Sequence, residues 1–166
     1  MDSKQQIIDA LGYRENVGII VTNDTRHVIW CKRYGQDAWQ FPQGGIQQHE
    51  TIKQALFREL KEETGLDESH VDIIASTKKW LRYRLPKNLI RDNSLPKCIG
   101  QKQRWFLLKL QTDDSSICLN QTKKPEFDNW RWVDYWHPLQ EVVFFKRNVY
   151  ECALKEFEPL LFSKIH

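Results

Sequence analysis

Apolar residues recur along this chain at two periods. Residues 17–21 and 27–33 read as β-branched, apolar strands, and the polar cluster Asn23-Asp24-Thr25-Arg26 between them predicts a turn and hence a hairpin. Residues 71–75, 79–85, 104–110 and 130–133 read as further strands, and in 79–85 Leu81, Tyr83 and Leu85 alternate against Trp80, Arg82 and Arg84. The period changes to a helical one over residues 51–64. That segment opens on the capping box Thr51-Ile52-Lys53-Gln54 and stops at Gly65, the residue best suited to a left-handed terminus. A second helix is predicted over 146–161, where Val149, Ala153, Phe157 and Leu160 recur at three- and four-residue spacing. Residues 86–100 read as a long basic loop. Strands and helices interleaved in this way predict a mixed sheet covered by helices, an α/β class of fold.

The first helix carries its acids in an unusual place. Wound at about 100° per residue, Ile52, Ala55, Leu56 and Leu60 form the buried stripe, while Glu59 at about 340°, Glu63 at about 20° and Glu62 at about 280° are expected within the same arc. Three carboxylates are thus predicted to point inward, at the helix end where the backbone dipole disfavours anions. Two neutralisers are available: Arg58, four residues before Glu62, and a bound divalent cation. Just upstream, Trp39-Gln40-Phe41-Pro42-Gln43-Gly44-Gly45-Ile46 reads as an apolar strand end and a paired-glycine turn, which lets backbone approach a ligand closely. Oxygen ligands beside exposed backbone suit Mg2+ or Mn2+ shared with phosphate.

Composition narrows the picture. With 166 residues, 40% of them apolar and 28% charged, the chain fits one globular domain and excludes a disordered or collagenous polymer. No apolar run approaches the length that spans a bilayer, and the start, Met1-Asp2-Ser3-Lys4-Gln5-Gln6, lacks a secretory h-region, so a cytoplasmic location and no membrane partner are expected. Cys31, Cys98, Cys118 and Cys152 are too scattered for a disulfide framework or a zinc knuckle, and the five histidines show no ligand spacing. No Ser or Cys sits in a nucleophile elbow, so covalent catalysis is not indicated.

The net charge of +3 hides a strong asymmetry. Residues 78–104 hold nine Lys or Arg against Asp92 alone, leaving the rest of the chain net acidic. Trp80, Tyr83, Trp105 and Phe106 are interspersed among these cations, the composition of a surface that pairs phosphates and stacks bases; a solvated basic face is the alternative. Arg82 and Arg84 are the candidate RNA contacts within this block.

Gly44, five residues, Glu50, seven residues and then Arg58-Glu59-Leu60-Lys61-Glu62-Glu63-Thr64-Gly65-Leu66 together resemble the complete box that defines the Nudix family. The resemblance implies one Nudix domain over residues 1–166, with the box at 44–66 and the core at about 12–157. It also implies an α/β/α sandwich and metal-dependent hydrolysis of a nucleoside diphosphate linked to another group. Glu59, Glu62 and Glu63 would be metal ligands and catalytic residues, Gly44 a carbonyl ligand, and Arg58 the residue orienting the glutamates. Flanking segments are similar to the bacterial RNA pyrophosphohydrolases, a branch of that family: residues 12–18, 39–45, 125–133 and 142–150. By that similarity Glu126 would be a further metal ligand, Arg14 and Arg33 would contact phosphate or base, and Val143 and Phe145 would line a base pocket. Read without the family, Glu126 is a loop acid and Val143 and Phe145 are core. The chain departs from that branch at Glu15, where Pro is usual, and at Phe144, where a smaller residue is common.

The reaction so implied is attack of water on a 5′ polyphosphate, with one glutamate accepting the proton. It would convert RNA 5′-triphosphate or 5′-diphosphate ends to monophosphate and promote mRNA decay. Dinucleoside polyphosphates are the alternative substrates. A Nudix domain that only binds RNA or nucleotides is the non-enzymatic alternative, and the retention of all three glutamates counts against it.

Overall fold

The computed structural model describes residues 6–91 and 97–162. The start of the chain before Gln6, Asp92 in the basic loop, and His166 lie outside the described residues. Eight strands join in one mixed sheet: β1 (Tyr13–Thr22), β2 (Val28–Arg33), β3 (Trp39–Gln40), β4 (Gln43–Gly45), β5 (Val71–Ser76), β6 (Leu81–Arg84), β7 (Gly100–Leu110) and β8 (Phe127–Val133). Three α-helices accompany them among the described residues: α1 (Ile52–Thr64), α2 (Pro138–Glu141) and α3 (Arg147–Phe162). The central order is β3-β2-β1-β7-β5, with β4 on β1, β6 on β7 and β8 on β2. The β1–β7 pair is parallel and runs in unbroken register from Tyr13↔Gly100 to Thr22↔Lys109.

Alternate residues of these two long strands feed two cores. Val17, Ile19, Val21, Phe106 and Leu108 pack with Ala55, Leu56 and Leu60 of α1. Ile20, Trp105 and Leu107 pack with Tyr150, Ala153, Leu154 and Phe157 of α3 on the other face. A helix on each face is the α/β/α sandwich. In the second core Phe41 stands against Trp30 and Tyr150 at ring-centroid distances of 5.1 and 4.9 Å, and its N–H donates to the Tyr150 hydroxyl at 3.0 Å. Truncating an aromatic at such a site to Ala costs about 3–5 kcal/mol. Phe41 thereby fixes the segment that leads into β4. No helix of the described residues is long and apolar enough to cross a membrane.

Helix α1 begins and ends where its sequence predicts: Thr51 and Gln54 form the reciprocal cap, and Gly65 takes φ 79° with its N–H on the Lys61 carbonyl. Other expectations need correction. The predicted hairpin is paired at one register position only, Thr22↔Val28, because β4 takes the edge of β1 at Asn16, Val17 and Gly18. The glycine pair is therefore strand rather than turn. β7 starts at Gly100, four residues earlier than its apolar run, because its first residues pair with β6. The loop before it contains a short 3-10 turn, Lys87–Leu89.

Candidate active site

A cleft of about 400 Å³ opens beside β4, between α1 and the segment before α3. Its acidic wall comes from α1. Glu59 and Glu63 are 9% and 7% exposed and line the cleft with Gly44 and Gly45. Close packing explains the glycines: a Cβ on Gly44 would fall on the Glu59 carboxyl, and one on Gly45 on the Arg14 guanidinium. Arg58 holds this wall together. Its Nε and Nη2 donate to Glu50 at 2.6 and 3.0 Å, Nη1 to Glu59 at 2.7 Å, and Nη2 also to the Gly45 carbonyl at 2.8 Å. Glu50 receives the Gln47 N–H as well, and these bonds outweigh its burial to keep its carboxyl below the usual range.

Burial pushes the Glu59 carboxyl up to about 7, against the pull of Arg58. Glu63 is pushed up as well, first by burial and then by repulsion from Glu59 and Glu126, against the lowering effect of the Gln43 N–H, which donates to it at 3.1 Å. Glu62 differs from both. Its side chain is 46% exposed, does not line the cleft and reaches Arg58 only at 3.5 Å. The inward arc predicted for all three carboxylates thus holds for two, because Glu62 sits at the edge of the apolar stripe, where the helix turns toward solvent.

The facing wall is basic and gathers from distant parts of the chain. Arg14 on β1, Arg33 at the end of β2 and Lys146 just before α3 all line the cleft. The Nε atoms of Arg14 and Arg33 are buried and carry no hydrogen bond among the described residues. Lys146 is buried, with Nζ 3.3 Å from Gln40 Oε1 and 3.4 Å from Gln43 Oε1, above the ring of Tyr83. Burial, reinforced by Arg33, lowers its ammonium to about 8. Glu126, exposed just before β8, closes the cleft from outside the helix.

Phe145 lines the cleft, its ring 5.9 Å from Tyr83. Val143 is 42% exposed and does not line it. Arg82 and Arg84 are exposed and alternate with buried Tyr83, so they stand on the opposite face of β6 from the cleft. Lys146, Gln40, Gln43 and the clamp made by Glu50 have no site role in the sequence reading, and Tyr83 enters it only as one aromatic of the basic block. A lysine inside an otherwise apolar approach to α3 was the available signal for Lys146.

The donor set suits a hard cation: two buried, stacked carboxylates, only one of which has an arginine, next to a strand with no side chain in the way. Among the described residues no three His, Cys, Asp or Glu side chains are gathered closely enough to hold an ion by themselves. Water and phosphate oxygens would complete the shell, as Mg2+ commonly requires.

The NUDIX domain model matches residues 12–156. The chain is 60% identical over 158 residues to the RNA pyrophosphohydrolase of Hahella chejuensis, covering 95% of this chain and 98% of that protein. It is 59% identical over 155 residues to that of Stutzerimonas stutzeri, covering 93% and 98%. Solved structures sharing the fold include the E. coli dihydroneopterin triphosphate pyrophosphohydrolase, with a TM-score of 0.65 at 22% identity over 86% of this chain and 95% of that one. A C. elegans Ap4A hydrolase gives 0.65 at 19% over 89% and 96%.

Proposed function

The chain belongs to the Nudix family, and from that premise we propose that its cleft is the active site of an RNA 5′-pyrophosphohydrolase. The enzyme cleaves a phosphoric anhydride bond and leaves a 5′-monophosphate end, releasing pyrophosphate from a triphosphate or orthophosphate from a diphosphate. One observation carries the assignment of the site: two buried carboxylates face a buried ammonium and two half-buried guanidinium groups, whose Nε atoms are buried, across a single cleft. Neither wall is satisfied by the protein alone. A polyphosphate accompanied by a divalent cation complements both.

Arg14, Arg33 and Lys146 hold phosphate oxygens, the two arginines through donors that have no acceptor among the described residues. Phe145 flanks the base at the 5′ end. Glu59, Glu63 and Glu126 would hold the cation, and Glu62 and the Gly44 carbonyl are further candidates to hold it. When bound, Mg2+ or Mn2+ neutralises the carboxylates and the leaving group and makes the attacking water more acidic. Arg58, locked by Glu50, fixes the carboxylate orientation. A water oxygen bonds to phosphorus, the anhydride P–O bond breaks, and the water proton passes to a glutamate of the acidic wall. We place the whole of residues 1–166 in this one domain and the enzyme in the cytoplasm, where removing the polyphosphate promotes mRNA decay.

The test follows the 5′ end itself. 5′-Triphosphate RNA incubated with enzyme and Mg2+ should yield pyrophosphate and RNA open to a 5′-monophosphate-dependent exonuclease, and chelator should stop both. Cation-dependent loss of RNA without a monophosphate end would overturn the reading.

A further inference from the structure

The cations of residues 78–104 do not act alike. Lys102 is engaged within the fold, 3.1 Å from Asp9 and 3.7 Å from Glu15 and 5.2 Å over the Trp80 ring. Arg104 is engaged too, donating to the Thr77 carbonyl at 2.9 Å beside the same ring. These two support structure. Arg82 lies over the ring of Tyr13 at 5.6 Å and pairs with no carboxylate among the described residues. Arg84, Lys87 and Arg91 are exposed and form no ion pair among the described residues.

These cations, unpaired among the described residues, sit on the outer side of a cleft wall. Tyr83, Leu85 and Leu89 line the cleft, whereas Arg84, Lys87 and Arg91 flank them in sequence and face solvent. Leu89 is apolar, half exposed and set at the cleft mouth between Lys87 and Arg91. Like charges crowded on one short segment repel unless an anion neutralises them, and a rim of cations around an apolar contact suits a single-stranded nucleic acid. We propose that this rim is the track taken by the RNA backbone downstream of the 5′ end, gripped by Arg84, Lys87 and Arg91. The inference rests on the assignment of the cleft to an RNA 5′ end. It makes the preferred substrate a chain long enough to reach over the β6 edge.

Salt dependence tests it. For wild type, log kcat/KM on a longer single-stranded 5′-triphosphate RNA should fall more steeply with log salt than on a 5′-triphosphate dinucleotide. In the pair Lys87→Gln/Arg91→Gln the slope on the long RNA should flatten by about 1.4, at about 0.7 per single-strand phosphate contact. Turnover of the dinucleotide should be unchanged. Binding of the same long RNA with a 5′-hydroxyl, read by fluorescence anisotropy, should show the same flattening without any chemistry. If wild type releases no phosphate from either RNA, the proposed activity fails, while the anisotropy slope still decides the track. An unchanged slope in the variant would overturn the track in favour of an acidic protein partner or a solvated face. Equal losses on both substrates would overturn it too, by moving these cations into the cleft.

Discussion

The two walls of the cleft reach opposite charge by different construction. The acidic wall is local: β4 and α1 supply it from a short stretch of chain, and Arg58 ties Glu50, Glu59 and the Gly45 carbonyl into one unit. The basic wall is assembled at long range from β1, β2 and the turn before α3, and it is held by burial more than by hydrogen bonds. Charged groups kept out of water without full compensation are costly. The acidic wall meets that cost through raised carboxyl pKa values, the basic wall through a lowered ammonium pKa. On the proposed function, the preorganised acidic wall is where a cation would bind, and the basic wall is where an anion would bind.

The largest effect is expected where the comparison is sharpest. Glu63→Gln keeps the volume but removes a buried charge, so kcat should drop by orders of magnitude while the metal-free melting temperature holds or rises. Full turnover at saturating Mg2+ would remove Glu63 from the metal site. On the other wall, Phe145→Ala should cost about 1–3 kcal/mol of stacking, roughly 5- to 150-fold in kcat/KM on RNA, with a smaller loss on diadenosine tetraphosphate. Equal losses on the two substrates, with an unchanged melt, would show that the ring serves packing rather than the RNA end.

Loosening the clamp with Glu50→Gln should lower activity by about 10- to 100-fold, as expected for a group that orients ligands without touching the reacting atoms. Part of that loss should be recovered at higher Mg2+; complete insensitivity of activity to this substitution would show that the acidic wall needs no clamp. The smallest effect is a pH dependence of stability. Glu59 in the folded chain titrates near 7, above its ordinary value of 4.5, so the folded state binds more protons between those values. In chelator the melting temperature should therefore fall as pH rises from about 4.5 to 7, and Mg2+ should offset the fall. For Lys146 the sign is opposite: its folded value near 8 lies below 10.5, so its charged form burdens the fold at lower pH and the burden lifts as pH rises between those values. Activity should decline above about pH 8, as the basic wall loses this cation. A flat profile through pH 9 in wild type would mean that Lys146 contributes no charge to substrate.

The same difference in construction explains what the sequence made legible. The capping box, Gly65, the apolar stripe and the inward Glu59 and Glu63 all depend on contacts within a few turns, so spacing alone reveals them. Lys146 against Gln40 and Gln43 is a contact across roughly a hundred positions, visible only after α3 has packed on the sheet. Glu50 lies in the box, yet its bidentate hold on Arg58 depends on how the loop before α1 turns back. Composition alone does not separate Arg82 and Arg84 from the cleft, but their alternation with Tyr83 does: both stand on the other face of β6, outside the cleft, where Arg84 joins the proposed RNA track. The hairpin is shorter than the sequence predicts because nothing local announces that β4 will occupy the edge of β1.

If the two walls together serve an RNA 5′ end, kcat/KM measured side by side on 5′-triphosphate RNA and diadenosine tetraphosphate, with Mg2+ and with chelator, should be higher on the RNA, and neither substrate should turn over in chelator. Higher kcat/KM on the dinucleoside polyphosphate, or turnover of the RNA that persists in chelator, would contradict it.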